Sequence, residues 1–359
     1  MLTRHLAEIV KRYDTSRPIT AGCNEPSPNN HLFKSGAIDL IGFNYHHQWV
    51  KDVPKNFPNK PFIFSESVSA LQTRGYYMMP SDSIYRAPEK WWLPYTDPSY
   101  KCSAYDNMHA SWSSTHEQMW DVVKHTPFVG GQFIWTGFDY IGEPTPYGFP
   151  ARSSYFGIID LAGFPKDSYY MYQSEWTSKP MLHLFPHWNW LPGQTIDLWA
   201  YYNNADEVEL FINGISMGIR RKADTHQYHV MWRVNFEPGE IKAVSRKNGK
   251  EVCSQTIKTA GQPHHIRLTT DYKGKNTTFI TVEVVDKDGN LCPWAENQIE
   301  FSTTGDAKIL GTDNGCQTSM ERFQAPRRKA FFGKCMVVVS GNGTLRAESI
   351  DLNASAIKF

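Results

Sequence analysis

The texture of this chain changes near residue 180, and that change most limits what it can fold into. Before it, short apolar runs alternate with helical patterns. After it, short strands follow one another with mostly period-two alternation. The runs 38–44, 61–66 and 130–135 are apolar almost throughout. Such strands are buried on both faces, and alternation with helices gives them a parallel sheet covered on both sides. Leu2, Leu6, Ile9, Val10 and Tyr13 fall at helical spacing, the patterns predict further helices over 108–125 and 167–176, and a short strand is expected at 18–21. Residues 67–106 have little periodicity and hold Tyr76, Tyr77, Trp91, Trp92 and Tyr95 among several prolines. A loop that long inside a compact domain is usually functional.

Beyond residue 180 the predicted strands are 195–201, 208–212, 228–234 and 241–244, with Asn213-Gly214 as a hairpin turn. This region, 181–260, is expected to be a β-sandwich. Gly261-Gln262-Pro263 reads as a linker into 261–359, where strands at 266–270, 278–285, 299–302, 336–339 and 344–349 and their turn spacing suit an immunoglobulin-like sandwich.

Composition excludes several classes of function. The chain has 37 basic and 36 acidic residues, so it lacks the basic surplus that nucleic acid requires. Its apolar runs fall far short of the ~18 residues of a membrane span. The six cysteines contain no CxxC pair, which argues against a zinc site, a dithiol motif or a disulfide framework and for isolated buried thiols. No metal site or cofactor is expected. N-x-[ST] triplets begin at Asn276, Asn342 and Asn353 and carry no weight by themselves. Aromatics make up 14% of the chain, which serves either aromatic-rich cores or stacking platforms for sugars. The first helix is under way by the third residue, with no capping box and no signal-peptide pattern before it. We read Met1 as an internal start and the chain as the C-terminal part of something longer.

Four strand–helix units amount to half of a (β/α)8 barrel, and barrel chemistry sits at the C-terminal strand ends. Those ends read Cys23-Asn24-Glu25, then Asn44-Tyr45-His46-His47, then Ser65-Glu66, then Trp135 followed by Asp139-Tyr140 and Glu143. Carboxylates above an aromatic floor are what glycoside cleavage requires.

The stretch Ile38-Asp39-Leu40-Ile41-Gly42-Phe43-Asn44-Tyr45-His46 resembles the sixth barrel strand of glycoside hydrolase family 2. Lys60-Pro61-Phe62-Ile63-Phe64-Ser65-Glu66 resembles its seventh strand, and the run from Gly130 through Trp135-Thr136-Gly137-Phe138-Asp139 to Pro144 resembles its eighth in bacterial β-galactosidases. Phe156-Gly157-Ile158-Ile159-Asp160 and Pro165-Lys166-Asp167-Ser168-Tyr169-Tyr170 continue the likeness. The resemblance implies a multidomain α/β plus all-β chain: the C-terminal half of a TIM barrel over 1–180, followed by two accessory β-sandwiches.

It also implies roles. Glu66 would be the nucleophile of a retaining exo-glycosidase, with Tyr45 orienting it. Trp135 would floor the sugar subsite, with Asn44, His46 and Asp139 touching sugar hydroxyls or supporting those that do. Trp91 and Trp92 are candidates for the leaving-group side. The family's acid/base glutamate follows an asparagine at the fourth strand. Asn24-Glu25 imitates that pair, but it comes after a helix resembling the one that follows the acid/base strand. The 41 residues from Glu25 to Glu66 also fit two strand–helix units and not three. The acid/base is therefore expected to be missing from this chain, at a cost of roughly 10²–10⁴ in rate or more. Glucuronidase relatives clamp the sugar carboxylate with Asn-x-Lys after the eighth strand. No lysine lies between Trp135 and Asp160, where Arg152 is the strong cation, so a neutral sugar, a β-galactoside, is the expected substrate. The open edges of a half barrel call for a partner, a second copy or the missing N-terminal part. Kinship places the parent protein in the periplasm or outside the cell. The alternative is a non-catalytic carbohydrate- or partner-binding protein, with Trp188, Trp190 and Trp199 as exposed platforms or, more simply, as core.

Overall fold

A computed structural model describes residues 2–359. The expected succession of mixed α/β and then β-only structure is what the element order shows. The chain divides into two compact units: Met1–Leu71, Ile84–Thr96 and Asp106–Gly137 form one, and Gln72–Ser83, Asp97–Tyr105 and Phe138–Phe359 the other. Among the described residues no helix is long and apolar enough to cross a membrane.

The first unit is built on a three-stranded parallel sheet in the order Ile41–Asn44, Phe62–Glu66, Val129–Gln132. Phe43, Phe62 and Phe64 pack with Val50, Val53 and Met119 into its core. A register shift between Phe43 and Asn44 sets Asn44 opposite Glu66 at the strand ends. The helix Leu2–Tyr13 forms as its periodicity predicts, yet it buries no residue, and Leu2 is 70% exposed. Two expectations change. Residues 18–21 form no strand; instead the Ile19 carbonyl accepts from both Asp39 N–H and Leu40 N–H. The helix expected over 108–125 spans only His116–His125. Thr115 and Gln118 form a capping box at its start, and the Asp106 carboxylate accepts from the backbone N–H groups of His116 and Glu117 at 2.9 and 2.7 Å. Met108–His109 pairs with Tyr85–Arg86 as a short parallel ladder. The first two residues of the predicted helix are thus drawn into strand pairing, and 110–115 form a turn and the cap.

In the second unit the helix Asp167–Trp176 matches its expected span. Two antiparallel sheets follow. One orders Val230–Asn235, Thr195–Tyr202 and Leu182–Phe185; the other orders Lys250–Lys258, Glu240–Lys247, Glu207–Ile212 and Ile215–Arg220. Leu198, Leu210, Val230, Trp232 and Ile241 meet in their shared core, with Trp188 fully buried among them. Asn213 and Gly214 turn the Ile212↔Ile215 hairpin with φ of 49° and 81°, the left-handed pair that a two-residue turn needs. Thr195–Tyr202 was expected to alternate but is buried on both faces after its first residue. Its second face carries Asp197, which accepts from Ser81 N–H and Oγ–H at 2.6 and 2.8 Å and from Arg233 at 2.6 and 2.9 Å. The Asp197 carbonyl takes the Tyr105 hydroxyl. Trp199 lies on the same buried face, so the core reading holds for it and for Trp188.

The last eight strands form one sheet. It consists of two antiparallel halves joined by a single parallel pair, His265↔Asn353. Ile280, Val282 and Val337 from one half and Ile299, Phe301 and Leu345 from the other share one core. All six thiols are free; Cys23, Cys102, Cys292 and Cys335 are buried and Cys253 and Cys316 half-buried.

Gly157 stands where the chain passes very close to itself. A Cβ there would lie 2.1 Å from the Asp139 nitrogen and 2.4 Å from the Ile159 oxygen, both backbone atoms. Gly157→Ala is therefore expected to destabilise the second unit by about 3 kcal/mol, at the upper end for overpacking. An unchanged urea midpoint in this variant would contradict the packing described here.

Candidate active site

Glu66 ends the central strand of the parallel sheet, and its neighbours are fixed by the strand beside it. After Asn44 the chain leaves the sheet through two consecutive residues in the left-handed region, Tyr45 (φ 56°) and His46 (φ 52°). Neither is glycine, so each costs about 1 kcal/mol or more, a cost that concentrates at functional sites. Two contacts to Glu66 hold the bend. Tyr45 N–H donates to the Glu66 carbonyl at 2.6 Å, and the Tyr45 hydroxyl donates to Glu66 Oε2 at 2.8 Å. The Tyr45 ring is buried, so this phenol has one fixed direction.

Asn44 is held from both sides. Its N–H donates to the Cys23 carbonyl at 3.0 Å, and its Oδ1 accepts from Ser65 Oγ at 2.8 Å. His46 stacks on Trp49 with ring centroids 4.8 Å apart and planes 17° from parallel. Burial pushes the His46 imidazole down from its ordinary value, against a backbone hydrogen bond at Asn24. A neutral ring offers one donor and one acceptor to a hydroxyl-rich ligand. The third strand is tied alongside: Phe133 N–H donates to the Phe64 carbonyl and Ser67 N–H to the Phe133 carbonyl, both at 2.9 Å. This carries the chain past Glu66 into half-buried Trp135, whose peptide bond to Thr136 is cis. Asn44, Tyr45, His46, Glu66 and Trp135 thus belong to one unit and follow the ends of its adjacent strands.

Asp139 falls in the other unit. Its Oδ2 lies 2.7 Å from Lys166 Nζ with both side chains fully enclosed, and its Oδ1 accepts from Gly157 N–H at 2.8 Å. Burial lifts the Asp139 carboxyl to about 6, against the pull of the Lys166 ammonium. Glu25 and Glu143 are exposed, the latter taking the Tyr140 hydroxyl at 2.5 Å. Trp91 and Trp92 are exposed and meet edge to face at 5.5 Å. Sequence reasoning passed over Gln132. Both polar atoms of its amide are enclosed without a hydrogen-bond partner among the described residues, an arrangement native interiors rarely leave unexplained. Its signal was a lone amide inside an otherwise apolar strand. Among the described residues no three His, Cys, Asp or Glu side chains gather as a metal site.

Residues 263–359 match the glycoside hydrolase family 2 C-terminal domain 5, and residues 193–253 match a domain of unknown function, DUF4982. The whole chain aligns with a β-galactosidase of Bacteroides ovatus at 57% identity, covering 43% of that protein. Two thirds of it (66%) aligns with a β-glucuronidase of Bacteroides fragilis at 25% identity, covering 33% of that protein. The chain therefore spans less than half the length of these relatives. The fold is also that of a β-glycosidase crystal structure from Bacteroides vulgatus, with a TM-score of 0.87 and 32% identity over all of this chain and 48% of that one. The chain belongs to glycoside hydrolase family 2.

Proposed function

We propose that this chain supplies the nucleophile half of a retaining exo-β-galactosidase. The observation that carries the proposal is Glu66 at a parallel strand end with the buried Tyr45 hydroxyl on its Oε2. With Oε2 engaged, Oε1 attacks the anomeric carbon, and the aglycone oxygen leaves with a proton from an acid. The glycosyl ester is then hydrolysed by water. Tyr45 stabilises the carboxylate before attack and the departing carboxylate after it. Trp135 stacks on the apolar face of the sugar, and Asn44 and neutral His46 offer hydrogen bonds to its hydroxyls. Asp139, saturated by Lys166 and Gly157 within the second unit, has a structural role and does not touch sugar.

A neutral terminal sugar fits the fate of Arg152. Its guanidinium donates to the Glu321 carbonyl and lies over the Phe323 ring at 5.1 Å, so it is engaged within the chain. The 57% identical relative is itself a β-galactosidase. In the proposed architecture, residues 1–180 are the second half of a (β/α)8 barrel, and 181–260 and 261–359 are two accessory sandwiches, the last immunoglobulin-like. The acid/base glutamate is contributed by barrel strands outside this chain, in a parent protein of the periplasm or cell exterior. The exposed stripe of Leu2, Leu6 and Val10 supports further packing on the first helix.

Trapping tests the proposal. Full-length protein incubated with an activated 2-deoxy-2-fluoro-β-galactoside should carry one label, on Glu66. A label on any other residue, or no label with an active preparation, removes the assignment. Trp135→Ala should weaken a galactose-type inhibitor about tenfold, since aromatic contacts of this kind are worth about 1 kcal/mol or slightly more. Equal inhibitor affinity in a folded variant would count against the stacking role.

A further inference from the structure

The second unit carries an uncharged aromatic cleft that the catalytic reading does not use. Its volume is about 520 Å³, and Trp190, Leu191, Phe236 and Trp294 line it together with Gln194 and Thr259; no Asp, Glu, Lys or Arg contributes to the lining. The two indoles meet at 81° with centroids 5.7 Å apart, as a floor and a wall. Both have already placed their polar edge. Trp190 Nε1–H donates to the His187 carbonyl at 2.7 Å, and Trp294 Nε1–H to the Asn189 carbonyl at 2.9 Å. Asn189 is in turn locked to Ala260 by two hydrogen bonds of 2.8 and 2.9 Å. The rings are therefore held by their N–H groups, and what they present is apolar face.

One face of Trp190 is taken by the His187 ring, stacked at 4.5 Å and 17°. Trp294 is 52% exposed and Leu191 74%. Trp188 and Trp232 of the same unit are buried almost completely in its core, whereas Trp190 packs against the edge of that core and Trp294 lies outside it with half its surface open. A cleft of this size matches a small ligand, whereas a stable protein partner would need roughly 800 Å² of surface on each side. A pyranose presents C–H faces and a rim of hydroxyls. Perpendicular aromatic faces with an amide and a hydroxyl beside them complement that pattern, and the lack of charge fits a neutral sugar.

We propose that this cleft is a second, non-catalytic site for a neutral β-linked oligosaccharide, with Trp294 and Trp190 as stacking surfaces and Gln194 and Thr259 as hydrogen-bonding rim. The site does not depend on the role of Glu66, because binding is read without turnover.

Full-length protein carrying Glu66→Gln is titrated calorimetrically with β-1,4-galactotetraose, with cellotetraose and with tetragalacturonate. The same titrations are run with Trp294→Ala added; any binding at the catalytic site is common to both and cancels. A neutral oligosaccharide should show a binding event that Trp294→Ala weakens at least tenfold, and the acidic oligomer should bind that site at least tenfold more weakly than the neutral ones. In the protein with Glu66 intact, Trp294→Ala should leave kcat/KM on an aryl monosaccharide unchanged. Trp190→Phe, which keeps an aromatic face but gives up the indole N–H, guards against a folding defect at Trp190 and should retain at least part of the binding. The proposal is overturned if neither neutral oligosaccharide binds beyond what Trp294→Ala also binds. It is equally overturned if Trp294→Ala alters only the sedimentation of the protein, which would make the cleft a contact between copies.

Discussion

Glu66→Gln in the full-length protein should lower kcat/KM on an aryl β-galactoside by on the order of 10⁴-fold or more, the usual scale for loss of a covalent nucleophile. The amide keeps the shape of the side chain and can still accept from Tyr45, so the fold and inhibitor binding should survive. What goes is the negative charge that forms the ester. Glu66→Ala sharpens the test, because it opens space on the attacking side of the sugar. Azide added at high concentration can enter that space and attack directly, giving the galactosyl azide of inverted configuration and restoring turnover of the aryl substrate. A Glu66→Gln protein with more than a tenth of normal activity, or rescue that yields the retained azide, would move the nucleophile elsewhere. Tyr45→Phe should act in the same direction through kcat, and more weakly.

The second large effect is on stability. Lys166→Met leaves the Asp139 carboxylate buried without its cation, and it strips a donor from the Gln72 and Tyr155 carbonyls, which accept from Lys166 Nζ at 2.9 and 3.1 Å. Breaking a buried pair on one side costs about 3–5 kcal/mol. Lys166→Met combined with Asp139→Asn should recover a large part of that loss, because the stranded charge is then gone. The Asp139 carboxyl titrates at about 6 in the folded protein against 3.8 for an ordinary aspartate. Its folded value is raised, so the unfolded chain releases the proton first and the contribution of this group falls as pH rises between about 4 and 6. Urea midpoints across that range report both effects. A single variant within 0.5 kcal/mol of the parent would show that the pair carries little.

The parts of the fold that were legible in the sequence are those with an apolar face to read. Thr278–Val285 was expected with its observed bounds, and the helix Asp167–Trp176 likewise. The strands that went unread have little buried surface. Ile215–Arg220 is exposed or half-buried throughout, and Lys250–Lys258, at a sheet edge, likewise has no fully buried residue. Leu352–Lys358 has no fully buried residue, so its pairing with Gly343–Ser349 rests on backbone hydrogen bonds that composition does not announce. The helix expected from residue 108 shows the opposite fault. Met108, Trp112 and Met119 fall four and seven residues apart, at helical spacing, but Asp106 and Thr115 place the N-terminus at His116, and such side-chain capping overrides periodicity. At the candidate site, a motif gave Glu66, Tyr45 and Trp135. The left-handed bend at Tyr45 and His46 is a three-dimensional fact without a local pattern, and the enclosure of Gln132 shows in sequence only as a lone amide in an apolar run.

The strand Thr195–Tyr202 has a practical consequence for anyone who treats the β-rich region as a portable cassette. A gene cut at residue 180 would express its neighbours in sequence and discard Ser81 and Tyr105, which cover Asp197 from earlier in the chain. The truncated product would carry a carboxylate and the Trp199 ring stripped of that cover, and it should be recovered from inclusion bodies. A gene that restores residues 72–83 and 97–105, joined by a short linker, ahead of 138–359 follows the outline of the unit and should yield soluble material.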